Sequence, residues 1–137
     1  MTDEIQFDAI VENLPQMMQW IREKIEEAGF KECTHKIELA LEEAIVNVIH
    51  HALQKKGAVK LICRYQEGRQ IEFDICDEGP AFNPLKVSSE FDKNATLEER
   101  KEGGLGIPII RKNMDAVLYR REENTNILTL VLKTNTD

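Results

Sequence analysis

The first residues that could do chemistry lie on a helix-like stretch, residues 38–52. Apolar side chains occupy most of this stretch, whereas Glu43, Asn47 and then His50 or His51 follow one narrow line at the spacing of successive helical turns. A carboxylate and an amide between two apolar flanks are costly to bury unless they hydrogen-bond or meet a cation. The pattern indicates either a ligand site on a buried helix or a solvent-facing stripe on a half-exposed one.

Two further stretches could contact a ligand. Asp77 ends an apolar run and Gly79 follows it, so the carboxylate could accept a hydrogen bond from an amino group beside a flat ring, although a turn aspartate would look the same. Gly103, Gly104 and Gly106 open a helix-like segment, where free backbone N–H groups favour an anion such as phosphate. A glycine hinge would give the same run. Neither a Walker loop nor a dinucleotide fingerprint fits these glycines.

The rest of the pattern predicts the elements that position these residues. In order they are a strand, two helices, a hairpin of two strands, a polar segment, a helix and two strands. This order predicts an α/β (α+β) two-layer sandwich, with helices on one face of a mainly antiparallel mixed sheet. Thr34 is expected to cap the second helix, which ends at Gly57. The predicted strands are residues 4–11, 59–65, 70–76, 118–121 and 127–133.

Length and composition limit the classes of protein. A chain of 137 residues suits one domain, residues 1–137. A net charge of −7 without a basic run argues against nucleic-acid binding. Without an apolar run of membrane-spanning length or a secretion signal, we expect a cytoplasmic protein that does not enter a membrane. The cysteines, which we expect to be buried free thiols, are Cys33, Cys63 and Cys76.

The polar segment between the hairpin and the third helix has no periodicity. It covers about residues 84–103 and offers little apolar surface, chiefly Val87, Phe91 and Leu97. Ordering such a segment costs entropy that few contacts offset. We therefore expect a lid that is mobile without a ligand and closes over one.

Three segments together resemble a known family. Glu43-Ala-Ile-Val-Asn47, residues 77–84 and residues 102–110 are similar, in order and spacing, to the three nucleotide-binding boxes of the GHKL superfamily. Histidine kinases, gyrase, mismatch-repair ATPases and a heat-shock chaperone share these boxes and the Bergerat ATP-binding fold. The short chain and the Glu-Ala-x-x-Asn form look most like the anti-sigma-factor serine/threonine kinases of bacterial stress and sporulation switches. The resemblance covers nearly the whole chain.

The resemblance implies a role for each matched residue. Glu43 would be the general base, and Asn47 the ligand of the Mg²⁺ ion that bridges the ATP phosphates. Asp77 would accept a hydrogen bond from the adenine amino group. The other implied nucleotide-binding residues are Gly79, Phe82, Gly103, Gly104, Leu105, Gly106, Thr129 near the adenine, Arg100 and Lys101 of the lid, and His51, for which a structural role is equally open.

The implied function is an ATP- and magnesium-dependent serine/threonine protein kinase. It would phosphorylate a small anti-anti-sigma (STAS-like) partner, sequester a sigma factor, and so regulate transcription by partner switching. The alternative is a nucleotide-gated protein-binding module with little or no phosphoryl transfer. A fragment of a larger ATPase fits less well, because the chain has no transducer domain.

The resemblance also implies a homodimer, paired through the sheet side away from the nucleotide. Ile5 and Phe7 of the first strand could supply that surface, or they could be buried in the core of the monomer. The chain departs from the family at Ala81, where a further glycine is usual, and at Ile127-Leu128, where a Gly-Thr pair is common.

Overall fold

The computed structural model of the protein describes residues 1–52, 57–85 and 106–134. The order of strands and helices in these residues is the one predicted from the sequence, and so is the α/β class. The elements are β1 (Thr2–Asp8), α1 (Leu14–Glu27), α2 (Thr34–Asn47), β2 (Ala58–Gln66), β3 (Gln70–Asp77), α3 (Gly106–Asn113), β4 (Ala116–Glu122) and β5 (Thr125–Lys133).

The five strands form one sheet in the order β1-β2-β3-β5-β4. Each neighbouring pair is antiparallel, so the described strands contain no parallel pair and the predicted mixed character is absent from them. The turn between β2 and β3 is tight because Gly68 adopts φ +70°, which a residue with a side chain rarely does. This strand order places β3 and β5 side by side, although residues 78–124 separate them in the chain.

Alternation along β3 gives the sheet two different sides. Ile71, Phe73 and Ile75 belong to the apolar core shared with the helices, so their side defines the helix side. Asp74 and Cys76, at the alternate positions, lie on the outer side. Because cross-strand partners share a side, the register assigns every residue of the neighbouring strands to one side or the other.

The core fills the space between the helix side of the sheet and the helices. α2 packs against both α1 and α3 and buries Ile37, Leu41 and Ile45, which recur at one-turn spacing. Ile5 and Phe7 pack against this core from β1. Both are half-buried and lie on the helix side by register with Leu61 and Val59, whereas the predicted dimer surface is the side away from the nucleotide.

The ends of α2 differ from the prediction. Thr34 is the first residue of the helix, and its hydroxyl donates to the Lys31 carbonyl at 2.6 Å, so the predicted N-cap is wrong. A short 3₁₀ turn, Lys31–Cys33, leads directly into the helix. The Thr34 hydroxyl therefore bonds to a carbonyl of this turn instead of capping an N–H group of the helix. Beyond Asn47 the chain continues as a π-helix, Val48–Ala52. No helix in the described ranges is long and apolar enough to cross a membrane.

Candidate functional site

Asp77, the last residue of β3, carries a buried carboxylate whose two oxygens differ. Oδ1 accepts the backbone N–H of Gly79 at 2.9 Å and Nδ2 of Asn126 at 3.0 Å. Oδ2 accepts no hydrogen bond from the residues that the structure describes, although only 3% of the residue is exposed. Because a buried acceptor without a donor is costly, Oδ2 marks a place where the N–H of a ligand would be stabilising.

The side chain of Asn126 holds Asp77 and the loop after it. Asn126 lies directly opposite Asp77 in the pairing of β3 with β5. Its Nδ2 donates to Asp77 and also to the Pro80 carbonyl at 2.9 Å. Both amide hydrogens are thus used, one on the carboxylate and one on the loop.

The oxygen of the same amide accepts three donors. The Tyr119 hydroxyl lies 2.5 Å away, Nη1 of Arg121 3.0 Å away and the Phe82 N–H 3.3 Å away. Nη1 of Arg121 also donates to the Gly79 carbonyl at 3.0 Å. Donors on one side and acceptors on the other fix which way the amide of Asn126 points.

Apolar side chains surround Asp77 on the helix side. They leave a cleft of ≈ 10 Å³, so a planar ring enters only if these walls part. An apolar slot with one free acceptor suits a heterocycle that bears an amino group. The apolar and aromatic lining residues are Val48, Ile75, Phe82, Pro84, Tyr119 and Leu128.

A larger cavity, of ≈ 550 Å³, opens behind the same loop. Gln6, Lys60 and Cys76 of its lining lie on the outer side of the sheet by the register of β1, β2 and β3. Asp77 and Gly79 line this cavity too, but no described residue of α2 or of the π-helix does. Val48 of the π-helix lines the narrow cleft together with Asp77, so we locate the candidate site in the cleft.

Glu43 and Asn47 lie one turn apart on α2 and are half-buried. Neither side chain forms a hydrogen bond or ion pair with the described residues, so both oxygens are available to a ligand. Val48, the next residue, lines the cleft at Asp77 and opens the π-helix, a rare element that is frequent at functional sites. The π-helix that directly follows Asn47 therefore reaches the cleft.

The donor set suits magnesium held through phosphates rather than a protein cage. No group of three or more His, Cys, Asp or Glu side chains within the described residues could hold a metal. Mg²⁺ keeps several waters and is commonly bound by one or two protein oxygens together with substrate phosphates. The amide oxygen of Asn47 fits that kind of site.

The other predicted site residues are placed unevenly. Gly79 and Phe82 lie in the loop that Asn126 holds. The backbone of His51 lies in the π-helix, and Gly106 begins α3. Arg100, Lys101, Gly103, Gly104 and Leu105, with most of the predicted lid, lie outside the described residues.

Thr129 is not brought to Asp77. In the register of β3 and β5 it pairs with Asp74, and its hydroxyl donates to Oδ1 of Asp74 at 2.6 Å. Both residues lie on the outer side of the sheet. The residue opposite Asp77 is Asn126, which the sequence analysis did not single out and which only the strand register could have identified.

The sequence pattern of the histidine kinase-like ATPase domain matches residues 7–132. The chain belongs to this family. Serine-protein kinase RsbW of Staphylococcus aureus (strain bovine RF122 / ET3-1) is 32% identical over 94 residues, covering 65% of this chain and 59% of the relative. Serine/threonine-protein kinase BtrW of Bordetella bronchiseptica is 32% identical over 94 residues, covering 67% of this chain and 65% of the relative. The similarity thus spans less than two thirds of either relative.

Solved structures share the histidine kinase-like ATPase fold. The RsbU and RsbW domains of Rv1364c from Mycobacterium tuberculosis align with a TM-score of 0.65 at 12% identity, over 97% of this chain and 32% of that one. The SiaB–SiaC complex from Pseudomonas aeruginosa aligns with a TM-score of 0.58 at 13% identity, over 95% of this chain and 88% of that one. Both confirm the fold predicted from the sequence.

Proposed function

We propose that this chain binds ATP with magnesium and acts as a serine/threonine protein kinase of the anti-sigma-factor type. The observation that carries the proposal is the unused carboxylate oxygen of Asp77, buried in an apolar cleft that is also lined by Val48, the residue directly after Asn47. An acceptor in such a slot recognises an amino-bearing ring. Glu43 and Asn47 supply the base and the metal ligand that phosphoryl transfer needs.

Each residue has a separate task in this mechanism. ATP would supply the transferred phosphoryl group, and magnesium would neutralise its developing charge. Asp77 binds the amino group of the ring through Oδ2, and Asn47 offers its amide oxygen to the metal. Glu43, one turn before Asn47 on the same line of the helix, accepts the proton of the attacking serine or threonine hydroxyl.

Glu43→Ala separates a kinase from a nucleotide-gated binding module. We expect transfer of labelled γ-phosphate to fall by about 100-fold or more, the usual size of a general-base contribution, while ATP affinity stays within about threefold of the unchanged protein. Small STAS-type proteins from the same genome serve as acceptors. Glu42→Ala is the matched control, because Glu42 is the exposed neighbour on the same helix.

Three results of this experiment would change the proposal. Phosphate transfer that survives Glu43→Ala would exclude Glu43 as the base. If the unchanged protein binds ATP and a STAS-type partner but transfers no phosphate, the binding-module alternative replaces the kinase. Failure to bind ATP at all would end both.

The partner-switching role extends the same proposal. The kinase would hold a sigma factor in one nucleotide state and a small anti-anti-sigma partner in the other, and phosphorylation of that partner would end its binding. The identity with relatives named as serine- or serine/threonine-protein kinases supports the phosphorylation step of this role. Recovery of bound proteins from the native cell with ATP, and separately with ADP, tests it; the same set in both would contradict nucleotide control.

We also propose a homodimer, formed through the outer side of the sheet. Leu118 of β4 is the supporting observation, since 58% of this large apolar residue is exposed and it lies on that side by register with Thr129. Leu118→Glu should give a folded monomer in light scattering. Phe7→Glu should unfold the chain instead, because Phe7 packs against the core. A monomeric unchanged protein at tens of micromolar, roughly the range where a modest dimer forms, would end this proposal.

A further inference from the structure

We infer that Asn126 is a positioning residue for nucleotide recognition. Its amide sets the carboxylate of Asp77 and the loop after it in the form that accepts the ring. The inference rests on the ATP site proposed above, and it adds to that site a residue that need not touch the nucleotide. Three observations carry it, one on the carboxylate, one on the loop and one on the amide itself.

The carboxylate of Asp77 is oriented by two donors on one oxygen. The Gly79 N–H and Nδ2 of Asn126 both point at Oδ1, which leaves Oδ2 as the oxygen offered to a ligand. Rotation of an aspartate about its last bond is soft when nothing restrains it. Without Asn126, one of the two restraints is lost and the acceptor is no longer held in one direction.

The loop after Asp77 is bound at two points by the same amide. Nδ2 donates to the Pro80 carbonyl at 2.9 Å, and Oδ1 accepts the Phe82 N–H at 3.3 Å. The side chain of Phe82 is part of the wall of the cleft. Asn126 therefore fixes both the acceptor and one wall of the slot.

The amide of Asn126 is itself held from β4. Tyr119 and Arg121 donate to its oxygen at 2.5 and 3.0 Å, and the residue is 3% exposed. Both of its N–H groups are already used, so it has no donor left for a nucleotide. Its contribution to binding passes through Asp77 and the loop.

The test compares ATP with purine riboside triphosphate, which lacks the exocyclic amino group. In the unchanged protein we expect ATP to bind about tenfold more tightly, the value of one hydrogen bond to a charged acceptor. In Asn126→Ala the dissociation constant of ATP should rise about tenfold and that of the analogue at most about threefold. The preference for ATP therefore largely disappears.

A merely structural role would weaken both ligands equally and leave the ratio unchanged, and that result would overturn the inference. Asn13→Ala is the matched control, because Asn13 also donates its amide to a backbone carbonyl, that of Asp8 at 3.0 Å, but lies outside the site. It should alter neither constant. Circular dichroism confirms that each variant is folded.

Asn126→Leu decides the question if the alanine variant does not fold. It keeps the volume of the side chain and removes the N–H donors that face Asp77 and Pro80. The ATP preference should fall as in the alanine variant, and a folded Asn126→Leu protein with the full preference would overturn the inference. If the unchanged protein binds no ATP, the proposed function fails and takes this inference with it; if it binds ATP and the variants keep the ratio, the positioning role alone fails.

Discussion

Two buried aspartates of β3 lie three residues apart on opposite sides of the sheet. They differ in whether a carboxylate oxygen remains free to accept a hydrogen bond from a ligand. On the outer side, Asp74 has both oxygens engaged, Oδ1 by the Thr129 hydroxyl at 2.6 Å and Oδ2 by Nη2 of Arg64 at 2.8 Å. On the helix side, Asp77 uses only Oδ1, which accepts two N–H groups. Both residues are at most 3% exposed.

The difference separates a structural carboxylate from a candidate ligand site. A buried charge is tolerated when it is paired and hydrogen-bonded, and Asp74 meets that condition within the described residues. Asp77 meets it on one oxygen only. The unused acceptor, and not the presence of a buried aspartate as such, is what makes the helix side the candidate binding site.

The largest effect is expected from Asp74→Ala, and it should be on stability. Removing one partner of a buried pair leaves Arg64 without its best acceptor, and the free energy of unfolding should fall by roughly 2–4 kcal/mol. The value is below that of a fully buried pair because 33% of the Arg64 side chain is exposed and Glu72 also binds it at 3.1 Å. Urea denaturation measures the loss.

The control for this stability prediction is Glu72→Ala, which removes the more exposed partner of the same arginine. It should cost about 1 kcal/mol or less. The folded Asp74→Ala protein should bind ATP with unchanged affinity. A loss of affinity there would contradict the division between the two aspartates.

The next effect is expected from Asp77→Asn, and it should be on binding. The substitution keeps one oxygen for Gly79 and Asn126 but turns an N–H toward the cleft, where it opposes the amino group of the ring. We expect a loss of roughly 1–3 kcal/mol in ATP binding, about 5- to 150-fold in Kd, with little change in stability. Titration with labelled ATP and magnesium measures it.

The isosteric control on the same strand is Asp74→Asn, whose effect on ATP affinity should be within error. Equal affinity of the unchanged and Asp77→Asn proteins would remove the adenine assignment. An equal loss from both variants would mean that the two sides of the sheet are not independent.

A smaller effect is expected from Thr129→Val. The hydroxyl of Thr129 donates to Asp74, so its removal should lower the free energy of unfolding by about 0.5–1.5 kcal/mol and leave ATP affinity unchanged. Asn126→Ala should instead lower mainly the affinity for ATP. If Thr129→Val weakened ATP binding and Asn126→Ala did not, the register-based assignment would be wrong.

The sequence predicted the parts of the fold that depend on local pattern. Ile71, Phe73 and Ile75 alternate along β3, and this alternation was enough to predict the strand. Glu43 and Asn47 share one line of α2 because four residues make one turn. These predictions needed no knowledge of which strands pair.

The role of Asn126 could not be predicted in the same way. It lies at the start of β5, next to a polar turn without periodicity, and faces Asp77 only because two strands far apart in the chain pair in one register. Thr129 was assigned by resemblance, three residues further on. An odd displacement along a strand moves a side chain to the other side of the sheet, so Thr129 faces Asp74 and not Asp77.

The smallest effect is expected for thiol labelling near neutral pH, which probes both sides of the sheet without altering a contact. Cys63 lies on the helix side and Cys76 on the outer side, and burial raises the pKa of the Cys63 thiol to about 12 and that of Cys76 to about 11. Only the thiolate reacts with iodoacetamide. At pH 8 we expect almost no labelling of either residue in the folded protein, whereas half-buried Cys33 should label first.

The pH dependence of labelling and stability follows from the same shifts. An unfolded thiol has a pKa of about 8.5, so the stability that these thiols contribute is complete below that value and is lost as pH rises toward 11–12, because the unfolded chain releases protons first. Labelling of Cys76 should accelerate before that of Cys63, as read by mass spectrometry of the labelled peptides. If Cys63 were labelled at pH 8 as fast as Cys33, the helix side would be open to solvent, and the buried acceptor of Asp77 could not be distinguished from an exposed one.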